Sequence, residues 1–111
     1  MSQTPFEIES VREQDAARLA LSGELDIATV PRVEAAVNAT LTAEVRTLTI
    51  DLSELGFVDS SGLRLFIVLD QRAAAEGWTL ALTRPTPQAL TVFRVSGVED
   101  ELPFIEDASA S

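Results

Sequence analysis

"TLTIDLSELGFVDSSGLRLFIVLD", residues 47–70, carries two successive patterns that decide the fold class. Leu48, Ile50 and Leu52 alternate with polar residues, which predicts a half-buried strand. After the D-S-S-G tetrapeptide at residues 59–62, apolar residues recur at helical spacing instead, so a helix is predicted to follow. A strand that leads through a short loop into a helix is the basic unit of an α/β domain.

The same alternation of strands and helices continues on both sides of this segment. The predicted elements are strands at residues 6–11, 18–22 and 47–52, helices at 30–41 and 60–76, a strand at 78–83, a helix from 87 to about 96, and a short edge strand at 103–105. This order predicts an N-terminal hairpin followed by largely parallel strands, in a mixed β-sheet covered by helices. We expect a single domain over residues 1–111, with its core at about 5–106 and a frayed tail at 107–111.

Residues that favour helix ends mark most of these boundaries. Thr29 and Thr86 each stand just before a proline-containing first turn, so both are predicted N-caps. Gly77 and Gly97 are placed to end the second and third helices. The helices are therefore delimited by local sequence.

Composition excludes several classes of function. The chain has no cysteine and no histidine, which removes disulfides, thiolate chemistry and the commonest metal ligands, so we expect no metal and no cofactor. A net charge of −10 argues against binding to nucleic acid or anionic membranes. Because no apolar run is long enough to span a bilayer and the N-terminus lacks a signal-peptide layout, we expect a cytoplasmic protein without membrane insertion.

Ser60 and Ser61 lie where the loop after the strand opens the second helix. A serine oxygen can accept a hydrogen bond from a free backbone N–H at such a place, and Ser60 is the predicted cap. That assignment leaves the hydroxyl of Ser61 free to face solvent. A nucleophilic role is disfavoured because the chain contains neither histidine nor lysine to act as a base. A phosphate loop is disfavoured too, since Gly62 stands alone without a following Gly-Lys-Ser.

The second helix is predicted to have one apolar face and an apolar fringe beside it. At 100° per residue, the residues that should face the core are Gly62, Leu65, Phe66, Leu69 and Ala73. Leu63, Ile67 and Val68 fall outside this stripe, next to Arg64. Such a fringe is typical of a surface covered by another protein or by a neighbouring helix, and the sequence leaves both interpretations open.

Together these features resemble the STAS domain of bacterial anti-sigma factor antagonists. The residues that carry the resemblance are Gly23-Glu24-Leu25-Asp26, Asp51-Leu52-Ser53 and Asp59-Ser60-Ser61-Gly62-Leu63, and the likeness extends over roughly residues 5 to 106. In that family the second serine of the last motif accepts phosphate, which implies Ser61 here, with Ser60 as a minor candidate. The resemblance also implies that Asp26 and Asp51 lie near the acceptor. The sequence departs from the family at Arg64, where many members have glycine, and in a last helix that is short or missing.

The resemblance implies a partner-switching regulator rather than an enzyme. Unphosphorylated, it would bind an anti-sigma factor that is also a serine kinase, and so release a sigma factor. Phosphorylation of Ser61 would end that complex, and a serine phosphatase would restore it. The implied partner-binding residues are Asp26, Asp59, Ser60, Gly62, Leu63, Arg64 and Ile67.

Two other roles within the same family stay open at this point. One is a structural STAS docking subunit of a lipid-trafficking or stressosome-like complex, in which the serine is idle. The other is a nucleotide-binding STAS protein, which the charge of −10 and the lack of a phosphate loop disfavour.

Overall fold

The computed structural model describes residues 5–106, and within them the chain forms a five-stranded sheet and three helices. In chain order the elements are β1 (Glu7–Glu13), β2 (Ala16–Leu25), α1 (Val30–Thr40), β3 (Thr47–Val58), α2 (Ser60–Glu76), β4 (Thr79–Thr83), α3 (Pro87–Val95) and β5 (Phe104–Ile105). The predicted order of elements is confirmed. The predicted frayed tail at 107–111 lies outside the described residues.

The strands lie in the sheet in their chain order, β1-β2-β3-β4-β5. β1 and β2 form the antiparallel hairpin, and β2, β3, β4 and β5 pair in parallel. A helix connects each parallel pair, and because such crossovers are right-handed, this sequential order places the described helices on one face of the sheet. The mixed α/β sheet predicted from the sequence is confirmed.

The hydrophobic core fills the space between these helices and the covered face of the sheet. The fully buried strand residues include Leu19, Leu21, Leu25, Leu48, Ile50, Leu52, Leu55 and Leu82. Phe93 of α3 lies at the centre of the aromatic packing, with its ring centroid 6.0 Å from that of Phe66 in α2 and 5.3 Å from that of Phe104 in β5. The rings therefore tie two helices and an edge strand together.

β3 is longer than the sequence predicts, since it continues to Val58 instead of ending at Leu52. Its pairing with β2 passes through register shifts between Ala20 and Ser22 and between Gly23 and Glu24. These irregularities change the spacing of buried residues from two to three, which hides the end of the strand from a search for alternation. As a result, β2 and β3 end side by side.

Gly23 makes this path of β2 possible. Its φ is +100°, and a Cβ there would lie 2.8 Å from the carbonyl oxygen of Pro5 and 3.0 Å from the Cα of Phe6. Those atoms belong to backbone that cannot move aside as a flexible side chain does. Only glycine fits where the segment before β1 passes this close to β2.

The predicted helix ends are mostly confirmed. The hydroxyl of Thr86 accepts a hydrogen bond from the N–H of Ala89 at 3.4 Å, and α2 and α3 end before Gly77 and Gly97. Thr29 stands at the N-cap position of α1, but its side chain makes no capping hydrogen bond there. None of the helices in residues 5–106 has the length and apolar character needed to cross a membrane.

Candidate functional site

The end of the sheet where β2 and β3 stop brings two carboxylates and two serines together. Leu25 and Val58 are paired, and the N–H of Asp59 donates to the carbonyl oxygen of Leu25 at 3.1 Å. Asp26 and Asp59 therefore leave neighbouring strands at the same edge. We call the exposed and half-buried residues of this edge and of the adjoining face of α2 the serine surface: Asp26, Ile27, Asp59, Ser60, Ser61, Arg64 and Val68.

Asp59, not Ser60, is the N-cap of α2. One oxygen of its carboxylate, Oδ1, accepts hydrogen bonds from the N–H groups of Ser61 at 2.9 Å and Gly62 at 3.1 Å. A carboxylate also suits the partial positive charge at a helix N-terminus. The predicted cap at Ser60 is thus wrong, because the preceding acid already reaches the free N–H groups and Ser60 becomes the first residue of the helix.

Both serine hydroxyls are free of hydrogen bonds to the rest of the described chain. Ser60 is exposed and Ser61 is half-buried. The residues favoured Ser61 as the free hydroxyl because Ser60 was expected to use its oxygen as the cap. Since Asp59 is the cap, that reason no longer distinguishes the two serines. The choice of Ser61 over Ser60 stays a prediction that rests on the family resemblance.

Asp26 is held in place by the loop that joins β2 to α1. Its Oδ1 accepts from the N–H groups of Ala28 at 2.9 Å and Thr29 at 3.1 Å. The hydroxyl of Thr29 in turn accepts from the N–H of Asp26 at 2.9 Å. These bonds fix a tight turn of the kind that aspartate side chains favour, and the turn directs Ile27 outward, where it is 76% exposed. Sequence reasoning missed Ile27, although an isoleucine directly after a polar turn was a visible signal.

Two of the predicted partner-binding residues belong to the core instead. Leu63 is only 7% exposed, and Gly62 is buried so closely that a Cβ there would lie 2.5 Å from Cγ2 of Val58. Ile67 is half-buried and packs against the core, whereas Val68 is 46% exposed. The buried stripe of α2 is wider than the helical spacing predicts because the helix contacts α1 as well as the sheet. The prediction that Leu63 lies outside the stripe is wrong.

Arg64 is the one cation of the serine surface. It is exposed, one turn along α2 from Ser60, and its guanidinium makes no hydrogen bond or ion pair within residues 5–106. In a chain of net charge −10, an arginine that finds no acid of its own is available to an acid of another molecule.

Asp51 does not lie near the serines. A strand rises about 3.3 Å per residue, so the part of β3 from Asp51 to Val58 spans roughly 20 Å. On the sheet face that the helices leave open, Asp51 accepts hydrogen bonds from Arg18 at 2.9 Å, from the hydroxyl of Thr83 at 2.9 Å and from the N–H of Ser53 at 2.9 Å. The resemblance-based placement of Asp51 beside the acceptor is corrected, and its role here is to join β2, β3 and β4.

This network predicts a pH-dependent contribution to stability. Partial burial by itself raises the pKa of Asp51, but the three hydrogen-bond donors outweigh it and lower the pKa from 3.8 to about 2. Because the folded pKa lies below the unfolded one, the stabilisation is fully present above about pH 4 and is lost as the pH falls from about 4 to 2. We expect the free energy of unfolding, measured with denaturant, to fall more in the parent than in Asp51→Asn across this pH window. Equal losses in the two proteins would contradict the assignment.

The fold and the serine surface define an α/β domain with a mixed sheet, in which two serines open a helix where the central strands end. The chain belongs to the family described as "Mlab, STAS domain", whose model matches residues 9–106. The anti-sigma-B factor antagonists of Listeria monocytogenes and Listeria innocua are each 28% identical to it over 89 residues, which cover 80% of this chain and 78% of theirs.

Solved structures of anti-sigma factor antagonists are similar to this chain. The anti-sigma factor antagonist SpoIIAA in its unphosphorylated form is 25% identical, with a TM-score of 0.74 over 96% of this chain and 90% of that one. An anti-sigma factor antagonist from Mycobacterium paratuberculosis shares the fold with a TM-score of 0.78 at 20% identity, over 96% of this chain and 90% of its own.

Proposed function

We propose that this protein is an anti-sigma factor antagonist. Unphosphorylated, it binds an anti-sigma factor that is also a serine kinase and thereby releases a sigma factor, and phosphorylation of Ser61 switches it off. The observation that carries the proposal is the pair of unbonded serine hydroxyls at the start of α2, beside the carboxylates of Asp26 and Asp59. Relatives of the chain that are named anti-sigma factor antagonists support it.

The charges around the serines explain how a phosphate would act. A phosphoserine adds about −1.5 to −2 charge near pH 7. A helix N-terminus normally stabilises an anion, but here the carboxylate of Asp59 already accepts from the N–H groups of Ser61 and Gly62. A phosphate on Ser61 therefore meets a carboxylate in the place that would otherwise bind it. Repulsion and hydration of the new charge oppose the covering of this surface by a partner, while the fold stays intact.

The exposed side chains of the serine surface indicate what the partner must offer. Ile27 and Val68 need apolar contacts, and the unpaired guanidinium of Arg64 needs a carboxylate. We propose Asp26, Asp59, Ser60 and Arg64 as residues that touch the partner. Gly62, Leu63 and Ile67 act instead by packing the first turns of α2 onto the core.

In this cycle the chain is a substrate and a binding module, not a catalyst. The kinase supplies ATP and the catalytic groups, and a separate serine phosphatase restores the hydroxyl. Since a sigma factor serves transcription, we propose that the protein works in the cytoplasm. The proposal assigns it no cofactor, no nucleic acid and no membrane.

A second candidate is a structural STAS docking subunit of a lipid-trafficking or stressosome-like complex. The description of the matched family refers to Mlab and does not mention an antagonist, so the family match leaves this second role open. In that role the serines are idle, so incubation with the kinase and ATP would leave the protein unmodified. The two candidates are therefore separated by the labelling experiment that follows.

Phosphosite mapping tests the proposed function. After incubation with the cognate kinase and ATP, we expect one phosphate per chain in the parent and in Ser60→Ala, and none in Ser61→Ala. Mass spectrometry of the intact protein and of its peptides gives both the count and the position. Labelling that survives in Ser61→Ala but disappears in Ser60→Ala would move the switch to the neighbouring serine, and no labelling in any variant would favour the docking subunit.

A further inference from the structure

A cavity of about 460 Å³ lies at the end of the domain opposite the serine surface. It is bordered by Arg46, which directly precedes β3, by Trp78, which directly precedes β4, and by the C-terminal turn of α2 with Arg72 and Glu76. For comparison, a hollow on the open face of the sheet, next to Val11, has about 220 Å³. The larger volume lies within the range of about 300–1,000 Å³ typical of small-molecule sites.

The arginines of the chain are not equally engaged. Six of the eight contact a carboxylate, an amide oxygen or a carbonyl oxygen: Arg12, Arg18, Arg32, Arg72, Arg84 and Arg94. Within residues 5–106, the guanidinium groups of Arg46 and Arg64 make no such contact. Arg64 belongs to the serine surface, whereas Arg46 borders the cavity.

The backbone of Arg46 is held firmly even though its side chain is free. Its N–H donates to the carbonyl oxygen of Asp15 at 2.7 Å, and its own carbonyl accepts from the N–H of Thr79 at 2.8 Å. The sheet therefore fixes the backbone from which the Arg46 side chain extends at the border of the cavity. A charged group on a fixed base, with no acid to neutralise it, is suited to bind a ligand.

The acid of the cavity is already neutralised by its neighbours. One oxygen of Glu76 accepts from Nε of Arg72 at 2.9 Å, and the other accepts from the indole N–H of Trp78 at 3.1 Å. Arg72 also donates to the side chain of Asn38 at 2.7 Å. With Glu76 and Arg72 paired, the unpaired charge of the lining is the positive charge of Arg46. This is a local reversal of sign in a chain of net charge −10.

We propose that this cavity binds a small organic anion, with its carboxylate or phosphate group on Arg46 and its apolar body against Leu41, Val45 and Trp78. Guanidinium groups bind both oxyanions through paired N–H donors, so the shared chemistry is the oxyanion. The carboxyl ends of α1 and α2 also border the cavity, and their partial negative charge opposes an anion. We therefore expect millimolar affinity. The inference does not rest on the proposed function.

The chain carries its own probe for this site. Trp78 is the single tryptophan and there is no tyrosine. Fluorescence excited where only tryptophan absorbs therefore comes from Trp78 alone, and Trp78 lines the cavity. We expect saturable changes in emission when the full chain is titrated with benzoate or with phenyl phosphate at constant ionic strength. Benzyl alcohol, which has the ring without the charge, should give at most a weak response. The relative affinities of the two anions show which oxyanion the site prefers.

Three variants complete the test. Arg46→Ala should weaken binding of the preferred anion by about tenfold or more, and Arg46→Lys by less, because lysine keeps the charge but loses the paired donors. Arg64→Ala removes the other unpaired arginine, at the opposite end of the domain, and should bind like the parent.

The inference is overturned if the response of the parent is linear and unsaturable, if benzyl alcohol binds as tightly as benzoate, or if Arg46→Ala and Arg64→Ala lose the same affinity. The titrations of the parent with benzoate, phenyl phosphate and benzyl alcohol do not depend on any variant. They therefore decide whether the cavity binds anions even if Arg46→Ala fails to fold.

Discussion

Phe93→Ala should lower the free energy of unfolding by about 3–5 kcal/mol, as the truncation of a fully buried phenylalanine does. Phe93 is 0% exposed and its ring contacts both Phe66 and Phe104. The substitution removes apolar contacts, leaves a cavity at the junction of α2, α3 and β5, and loses the edge-to-face pair with Phe104. Urea denaturation followed by circular dichroism measures the change.

Val95→Ala is the matched control, since it shortens another apolar side chain of the same helix. Val95 is 81% exposed, so we expect a change within about 0.5 kcal/mol. If Val95→Ala proves as costly as Phe93→Ala, then α3 packs on the sheet by a different face from the one described.

Ser61→Asp should reduce affinity for the anti-sigma partner by about tenfold or more while the protein stays folded. One added charge beside Asp59 opposes coverage of the serine surface, although it supplies less than the −1.5 to −2 of a phosphate. A carboxylate in the first turn of a helix is worth about 0.3–1 kcal/mol, but repulsion by Asp59, which already accepts from the first N–H groups, offsets that gain. We therefore expect a nearly unchanged melting temperature together with weak binding.

Gln88→Asp is the control for charge alone. Gln88 is exposed and is the second residue of α3, as Ser61 is the second residue of α2, so the substitution places the same charge at the same helical position elsewhere. It should leave partner affinity unchanged. Ser61→Ala should bind the partner and no longer be released by ATP. A folded Ser61→Asp that binds like the parent would refute the switch, and one that loses affinity by unfolding would refute the mechanism given for it.

The sequence by itself determined the order of elements and most of the buried face of each one. Alternation in β2 and the 3.6-residue period around Leu65, Phe66 and Leu69 are local properties, set by how many residues separate side chains that point the same way. Thr86 as a cap and the glycine after α2 were equally local. The order of elements, the G-E-L-D turn, Asp51-Leu52-Ser53 and the D-S-S-G-L motif together carried the resemblance to the family, and all of them can be read without coordinates.

Tertiary structure decided which chemical groups meet. Asp59 caps α2 in place of Ser60 because its N–H is bonded to the carbonyl oxygen of Leu25, which fixes where the helix begins. Residue type alone cannot choose between two adjacent cap residues. β3 continues past Asp51 to Val58, which leaves that acid far from the serines, on the open face of the sheet between the buried side chains of Ile50 and Leu52.

The burial of Leu63 likewise depends on how α1 and α2 lie on the sheet. Arg46 and Trp78, far apart in sequence, border one cavity because β3 and β4 start side by side. Each of these outcomes results from contacts between residues distant along the chain. Local periodicity carries no information about such contacts, since it records only which face a residue occupies and not what that face will touch.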